Sequence, residues 1–182
     1  VVADATVYDF PAGAADLLFS RFGVMFFDEP VRAFANMRKG LRPGARVTFA
    51  CWCAFADNPW FTTPIAAARP LLPPQPPVDP DAPGPHAFAR PERIAEVLGG
   101  AGFADIAPRR VDLMLDVAVG GGLDAAVESA LAIGPLARAL EGLDAAIQSA
   151  AADRARVALA PHVRGDSVPM PAAIWIVTAR NQ

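Results

Sequence analysis

Residues that could bind a ligand follow two apolar stretches of the sequence, ADLLFSRF at 15–22 and ARVTFACW at 45–52. Both stretches are predicted to be strands. The first is a short, nearly continuous apolar run, as expected of a strand that helices cover on both faces, and the second is rich in β-branched and aromatic residues. In open α/β sheets, ligands bind beyond the carboxyl ends of the strands. The sequence therefore predicts a ligand-binding cleft whose candidate residues are Ser20, Arg21, Phe22 and Gly23 after the first strand, and Trp52, Asn58 and Trp60 at or beyond the end of the second.

No compact catalytic signature accompanies these residues. None of the serines lies in a G-x-S-x-G turn of the kind that exposes a nucleophile. His86 and His162 each follow a proline in loop-like sequence, where a surface or packing role is expected. Asp79 and Asp81 lie in DPDAPG, and turn formation explains both. The sequence thus predicts no metal and leaves the catalytic residues unassigned.

The two cysteines, Cys51 and Cys53, lie two residues apart where the second predicted strand ends. Their side chains point to the same face of the sheet and are poorly placed to bond to each other. Metal sites prefer two intervening residues, and no histidine lies nearby in sequence. We expect two buried, reduced thiols, which suits a cytoplasmic location.

The composition limits the class of protein. The 182 residues are 53% hydrophobic and 19% charged, with a net charge of −3. The chain is long enough for one sizeable core, and its arginines are scattered without a basic run. No apolar run approaches the roughly 18 residues that a membrane span requires. These features predict a globular domain that binds neither nucleic acid nor membrane.

The segment between the two strands predicts a helix. Asp28 or Glu29 is expected to cap it, and Pro30 suits the first helical position because proline lacks only an orphan donor there. Apolar residues from Val31 onward recur near helical spacing, and LRPGAR is expected to end the helix with a turn. Two parallel strands joined by such a helix form a right-handed βαβ unit.

Two further segments differ from this pattern. Segment 58–91 is so rich in proline that we expect an extended flap packed over the domain, with a short helix at TPIAAARPLL that begins at its proline. Segment 122–163 predicts a helical insert of two alanine-rich helices, separated at the Gly134–Pro135 pair, with an apolar stripe that continues to Val157. Outside them we expect a helix in RPERIAEVLGGAGF, a strand around 111–117 and a last strand in PAAIWIVTARN, which a turn in VPMP precedes.

In order along the chain, ADAT at 3–6, the stretch 14–52 and RPERIAEVLGGAGF at 90–103 resemble a known family. They are similar to the rear portion of class I S-adenosylmethionine-dependent methyltransferases, in the group akin to the ubiquinone and menaquinone biosynthesis enzymes. The resemblance covers nearly the whole chain. It implies an incomplete, Rossmann-like α/β sheet with parallel strands, an antiparallel last strand and a helical insert.

The resemblance also implies a cofactor and roles for the candidate residues. S-adenosylmethionine would be the cofactor, with Asp4 accepting a hydrogen bond from the adenine amino group and Ala5 lying against the ring. Residues 20–23 would line the cleft in which the methyl group is transferred. Trp52, Asn58 and Trp60 would shape a pocket for a small apolar or aromatic acceptor.

One part of the family pattern is missing. No G-x-G-x-G loop lies near the start, and GGG at 120–122 is expected to be a linker into the helical insert. The resemblance therefore implies that residues 1–182 are the C-terminal part of a single methyltransferase domain, inactive on their own. The strand ADLLFSRF would then lie at an unpaired sheet edge through which the chain could self-associate.

Two other classes of function compete with this interpretation. The chain could be a non-catalytic interaction or accessory protein that has half a methyltransferase fold. A nicotinamide dehydrogenase is disfavoured because its glycine-rich fingerprint is not visible.

Overall fold

A computed structural model describes residues 1–74 and 79–182. Residues 75–78, which fall in the predicted flap, lie outside the described residues. The strands are β1 (Ala15–Arg21), β2 (Leu41–Trp52), β3 (Phe103–Asp116) and β4 (Pro169–Asn181). The helices are α1 (Pro30–Lys39), α2 (Pro59–Ala68), α3 (Pro91–Gly100), α4 (Gly122–Ala132), α5 (Pro135–Leu140) and α6 (Ala145–Leu159).

The strands form one mixed sheet in the order β1–β2–β4–β3. β1 pairs with β2 in parallel, and β4 pairs with β2 in antiparallel orientation. The predicted α/β class, the βαβ unit through α1 and the antiparallel last strand are confirmed. β1 lies at the edge of the sheet, as predicted, with β2 as its neighbour in the described residues.

The LRPGAR segment is not the turn that the sequence predicts. It belongs to β2, which begins at Leu41 directly after α1. Ala15 pairs with Leu41, whereas Leu17 pairs with Arg46, so three extra residues of β2 bulge out between these pairs. Gly44 has a φ of +78° in this bulge, a left-handed conformation that glycine adopts without steric cost.

The described residues divide into two compact units. The first comprises residues 1–54, 79–111 and 173–182. Its core packs α1 and α3 onto one face of the sheet, where Val47, Phe49 and Cys51 are buried. Phe34 of α1 has no exposed surface, and burial of such a side chain stabilises the fold by about 1.5–3 kcal/mol.

The start of α1 differs in detail from the prediction. Pro30 takes the first helical position as expected, but no side chain forms a capping hydrogen bond there. Glu29 instead pairs with Arg32, with 2.9 Å between the guanidinium nitrogen Nη1 and the carboxylate oxygen Oε2. The carboxylate is therefore used in a side-chain ion pair one turn along the helix.

The other face of β1 is open, which corrects the prediction of a strand covered on both faces. Leu17 is 44% exposed and Phe19 is 70% exposed, because both helices of this unit pack against the opposite face. The sequence pattern is that of a fully covered strand, whereas the described residues cover only one side of it.

The second unit comprises residues 55–74 and 112–172. α2 begins at Pro59 rather than at Pro64, which lies inside the helix. The predicted insert contains three helices instead of two, since the chain turns again between α5 and α6. Leu136 and Leu140 are buried, but Val157 is 74% exposed and does not continue the predicted apolar stripe.

Two other boundaries differ from the prediction. β3 begins at Phe103, well before the expected strand at 111–117, and the VPMP segment is the start of β4 rather than a turn. Among the helices of the described ranges, none is long and apolar enough to cross a membrane.

Asp116 organises the end of β3 within the second unit. Its Oδ1 accepts hydrogen bonds from the backbone N–H groups of Ala118, at 3.0 Å, and Val168, at 2.9 Å. Its Oδ2 accepts from the Gly120 N–H at 3.2 Å. These hydrogen bonds favour the charged carboxylate and therefore lower the pKa of Asp116, with the bond from Val168 having the largest effect. The carboxylate therefore ties the turn before α4 to the start of β4.

We expect this carboxylate to make stability depend on pH. The pKa of Asp116 is lower in the folded state than in the unfolded state, so the charged carboxylate stabilises the fold. This stabilisation is complete above the pKa of the unfolded state, and it is lost as the pH falls through the pKa of the folded state. Asp116→Asn should lower the midpoint of urea unfolding at pH 7. The midpoint of this variant should also fall less than that of the wild type between pH 5 and pH 2. Asp153→Asn, at an exposed position of α6, is the control. Equal pH profiles for wild type and Asp116→Asn would contradict this role.

The edge position of β1 predicts unequal protection of two neighbouring strands. Amides of Leu17–Phe19 should exchange at least about tenfold faster than those of Val47–Cys51, because an edge strand opens more easily than a central one. Native-state hydrogen exchange on the monomer measures both sets. Strong, equal protection in a monomer would show that β1 is not an exposed edge.

Candidate functional site

Phe22 has a strained backbone directly after β1. Its φ is +57°, a left-handed conformation that is unusual for a bulky residue and costs about 1–2 kcal/mol. Its N–H donates to the Ala50 carbonyl at 3.0 Å, which attaches the turn to β2. Such strain persists only where surrounding contacts enforce it, and it concentrates at functional sites.

The side chain of Phe22 stacks on Trp52 at the end of β2. The ring centroids are 4.4 Å apart and the planes differ by 15°. The structure thus joins one residue expected to bind the cofactor and one expected to bind the acceptor in a single aromatic pair. This pair lies at the carboxyl ends of two adjacent parallel strands, where open sheets bind ligands.

The other candidates after β1 lie close to this pair in sequence and in space. Ser20 is half-buried and pairs with Phe49 of β2 in the sheet register. A side chain at Gly23 would approach the Ser20 Oγ to 3.3 Å, so glycine keeps that hydroxyl accessible. Arg21 is exposed and forms no ion pair with another described residue.

Asp4 and Ala5 lie in a turn held against α1. The Asp4 carboxylate accepts from the Thr6 N–H at 2.8 Å and from the Thr6 hydroxyl at 2.7 Å, and these bonds lower the pKa of Asp4. The Asn36 amide donates to the carbonyls of Ala5, at 3.0 Å, and Tyr8, at 2.8 Å. Asn36 therefore positions this segment. The sequence analysis did not identify Asn36, because its place on the predicted helix was the only signal of such a role.

Asn58 and Trp60 belong to the second unit. Asn58 is fully buried, and its carbonyl accepts from the N–H groups of Phe61, at 2.9 Å, and Thr62, at 3.1 Å, at the start of α2. Trp60 stacks on Phe61 with 3.5 Å between ring centroids. Both residues therefore make packing contacts at the start of α2.

Trp60 also lines a small apolar cavity of this unit, between α2, α4 and α5. Its volume is about 20 Å³, room for about one water molecule. The Phe61 ring closes it near Gly134, where a Cβ atom would meet that ring at 2.7 Å. A cavity of this size holds no organic acceptor.

The segment 84–89 packs on the end of β2 in the first unit. The Nδ1 of His86 lies 3.1 Å from the Cys53 carbonyl oxygen, and burial lowers the pKa of this half-buried imidazole. The Trp175 indole N–H donates to the Ala89 carbonyl at 2.8 Å. These contacts confirm a packing role for His86, next to the strand end that carries Trp52.

The thiols are buried, as predicted. Burial raises the pKa of Cys51 to about 12, so this thiol stays protonated. Asp79 accepts from the Asp81 N–H at 2.9 Å, which confirms the predicted turn. Within residues 1–74 and 79–182, no group of three or more His, Cys, Asp or Glu side chains could hold a metal ion.

Residues 1–49 match the family model described as a methyltransferase domain. The match contains β1, α1 and most of β2, together with all candidate cofactor residues from Asp4 to Gly23. It covers about a quarter of the chain. No curated protein sequence matches the chain.

The fold matches 106 chains of solved structures. The YcgJ protein from Bacillus subtilis is 11% identical, with a TM-score of 0.54, and the match covers 99% of this chain and 69% of that chain. The cyclase SpnF is 17% identical, with a TM-score of 0.45, over 100% of this chain and 56% of its own. A phosphoethanolamine N-methyltransferase from Haemonchus contortus is 15% identical, with a TM-score of 0.46, over 100% of this chain and 37% of its own. At 11% identity the likeness to the Bacillus subtilis protein establishes the fold alone. The chain spans little more than half of SpnF and a little over a third of the Haemonchus enzyme.

The aromatic pair gives a stability prediction. Phe22→Leu keeps an apolar side chain but removes the stacking on Trp52, so it should lower the free energy of unfolding by about 1 kcal/mol. Phe26→Leu, at a 54% exposed position in the same turn, should change it by less than about 0.5 kcal/mol. Urea unfolding of the three proteins measures both values. Equal losses for the two variants would show that the stacking contributes nothing specific.

Proposed function

We propose that this chain is the C-terminal part of an S-adenosylmethionine-dependent methyltransferase that acts on a small apolar or aromatic acceptor, in the group akin to the ubiquinone and menaquinone biosynthesis enzymes. The observation that carries the proposal is the methyltransferase-domain match over residues 1–49, which contains the strained turn after β1 and its neighbours. We further propose a cytoplasmic enzyme, which suits two buried thiols in the first unit.

The residues present fit one side of such a cofactor. Arg21 presents an exposed guanidinium suited to a carboxylate, and Ser20, next to it in sequence, has a hydroxyl that can donate or accept. The Phe22–Trp52 pair presents aromatic surface, which attracts a cationic group such as a sulfonium. Asp4 has carboxylate oxygens suited to an amino group, and Ala5 has no bulk that would exclude a flat ring.

When bound, S-adenosylmethionine supplies a methyl group on a positively charged sulfur. Transfer of that methyl group to an acceptor would be an in-line displacement with sulfur as the leaving group. The role of the chain is to align the acceptor and exclude water, which is the larger part of catalysis in such a displacement. In the first unit this role falls to Trp52 and Phe22, whose stacked rings form a rigid apolar surface. We assign Asn58 and Trp60 to the acceptor side in the complete enzyme.

A second segment is needed to complete this site. The glycine-rich loop of the family is not found in residues 1–182, and the outer edge of β1, next to the candidate residues, pairs with no strand of the described residues. The Bacillus subtilis protein is longer than the part of it that this chain matches. We therefore propose that a further polypeptide segment supplies the remaining cofactor contacts, and that residues 1–182 alone are inactive.

A non-catalytic interaction protein is the second candidate. The exposed Phe19 and Leu17 on an edge strand favour it, since such surfaces pair with other chains, including a second copy of this one. The two functions differ in whether the completed domain binds the cofactor.

Calorimetry with S-adenosylmethionine tests the proposal. Residues 1–182 alone should bind with a Kd of about 1 mM or weaker, whereas the chain joined to the completing segment should bind in the micromolar range. In the completed protein, Asp4→Ala should weaken binding about tenfold through loss of a hydrogen bond to a charged group. Thr6→Val is the control, because it removes the hydroxyl that donates to Asp4 within the turn but keeps the backbone donor and the carboxylate. Tight binding by residues 1–182 alone would refute the fragment proposal, and no binding by the completed chain would favour the interaction protein.

A further inference from the structure

The open face of the sheet carries apolar and basic side chains side by side. In the register of β1 with β2, Leu17 lies beside Arg46 and Phe19 beside Thr48. In the register of β2 with β4, Arg46 lies opposite Arg180 and Thr48 opposite Thr178. These side chains alternate with the buried ones, so they share the face that α1 and α3 leave uncovered. We call the set Leu17, Phe19, Arg46, Thr48, Thr178 and Arg180 the open face.

The two arginines of this face are placed unfavourably for an isolated sheet. Like charges directly opposite each other on antiparallel strands are destabilising. Arg180 is partly compensated, with 4.0 Å between its Nε and the Asp105 carboxylate and 3.4 Å from its Nη1 to the Gly44 carbonyl. Arg46 is exposed and has no ion pair with another described residue. The face therefore carries positive charge, which a carboxylate from a partner would neutralise.

A groove runs over the same residues. It has a volume of about 390 Å³, and its walls include Leu17, Arg46, Thr48 and Arg180, with Asp105 at one side. Phe19 continues the apolar wall along the exposed edge strand. The groove thus offers an apolar side next to β1 and a basic side across β2 and β4.

We propose that the open face binds an acidic amphipathic helix, which packs apolar side chains on Leu17 and Phe19 and directs a carboxylate to Arg46 and Arg180. Parallel strands are stable when helices cover both faces, and here the β1–β2 pair is covered on one face by the helices of its unit. The inference rests on the proposed function, since we assign this helix to the polypeptide segment that completes the domain.

A second copy of this chain fits the face less well. A symmetric dimer would place the same surface on both sides of the interface, so that Arg46 and Arg180 would share it with the same two arginines of the other copy. A nucleic acid would satisfy the arginines but leave Leu17 and Phe19 without apolar contacts. An acidic helix satisfies both sides of the groove.

Two designed peptides of about 18 residues, long enough to span about 27 Å as helices, test the proposal. Both carry the same leucine face, and their polar faces carry either glutamates or lysines. Fluorescence anisotropy with residues 1–182 should show the glutamate peptide binding at least about tenfold more tightly than the lysine peptide. Arg46→Glu should abolish or reverse this preference, while Arg154→Glu, at an exposed position of α6, should leave it nearly unchanged.

Phe19→Ser tests the apolar side of the groove. It should weaken binding of both peptides about tenfold. Val157→Ser is the matched control, because Val157 is an equally exposed apolar residue on the second unit and its loss should not affect binding. Thermal unfolding of each variant verifies that it is folded.

Three outcomes would overturn the proposal. They are binding without preference for either charge, no binding of either peptide, and a stable dimer of residues 1–182 that Phe19→Ser dissociates. If the glutamate peptide docks as expected but the completed protein does not bind S-adenosylmethionine, the docking surface stands and only the proposed function fails.

Discussion

The packing of Phe34 holds the first unit together. This fully buried ring of α1 contacts Phe49 of β2, with 5.7 Å between centroids, and Phe103 of β3, with 6.3 Å between centroids. It also contacts Phe88 at 6.3 Å, in the segment that packs on the end of β2. One side chain thus joins a helix, two strands and a loop that are far apart in sequence. Because aromatic pairs add stabilisation beyond their buried area, a cluster of this kind specifies how α1 lies on the sheet.

The position of α1 determines the candidate site. α1 connects β1 to β2, and its Asn36 holds the N-terminal turn through two carbonyl groups. The chain leaves β1 through Phe22, whose left-handed backbone is kept in place by the bond to Ala50 and by stacking on Trp52. The core therefore stabilises a local conformation that would be unfavourable in an isolated peptide. This coupling of a well-packed helix to a strained strand end is typical of ligand-binding sites in α/β sheets.

Sequence reasoning predicted the elements whose signals are local. The β1–α1–β2 unit could be recognised because Pro30, the apolar spacing of the helix and the two apolar strands lie within forty residues. The bulge at Gly44 could not, since it depends on how β2 pairs with β1. The strain at Phe22 has no sequence signal either, because nothing in that residue type favours a positive φ. In the second unit, alanine-rich sequence gave weak apolar periodicity, and a division into three helices instead of two was missed.

The largest difference between the prediction and the structure concerns β1, which helices were expected to cover on both faces but cover on one face only. This difference has a physical explanation. The apolar pattern of ADLLFSRF reports the environment to which the strand is adapted, namely a sheet with both faces covered. The described residues provide the helices of one face only, so Leu17 and Phe19 are exposed beside Arg46, which has no ion pair with another described residue, and the partly compensated Arg180. A surface of this kind has a cost in solution, since exposed apolar edges favour aggregation. In the proposed complete domain, the segment that covers this face carries apolar side chains toward Leu17 and Phe19 and a carboxylate toward Arg46.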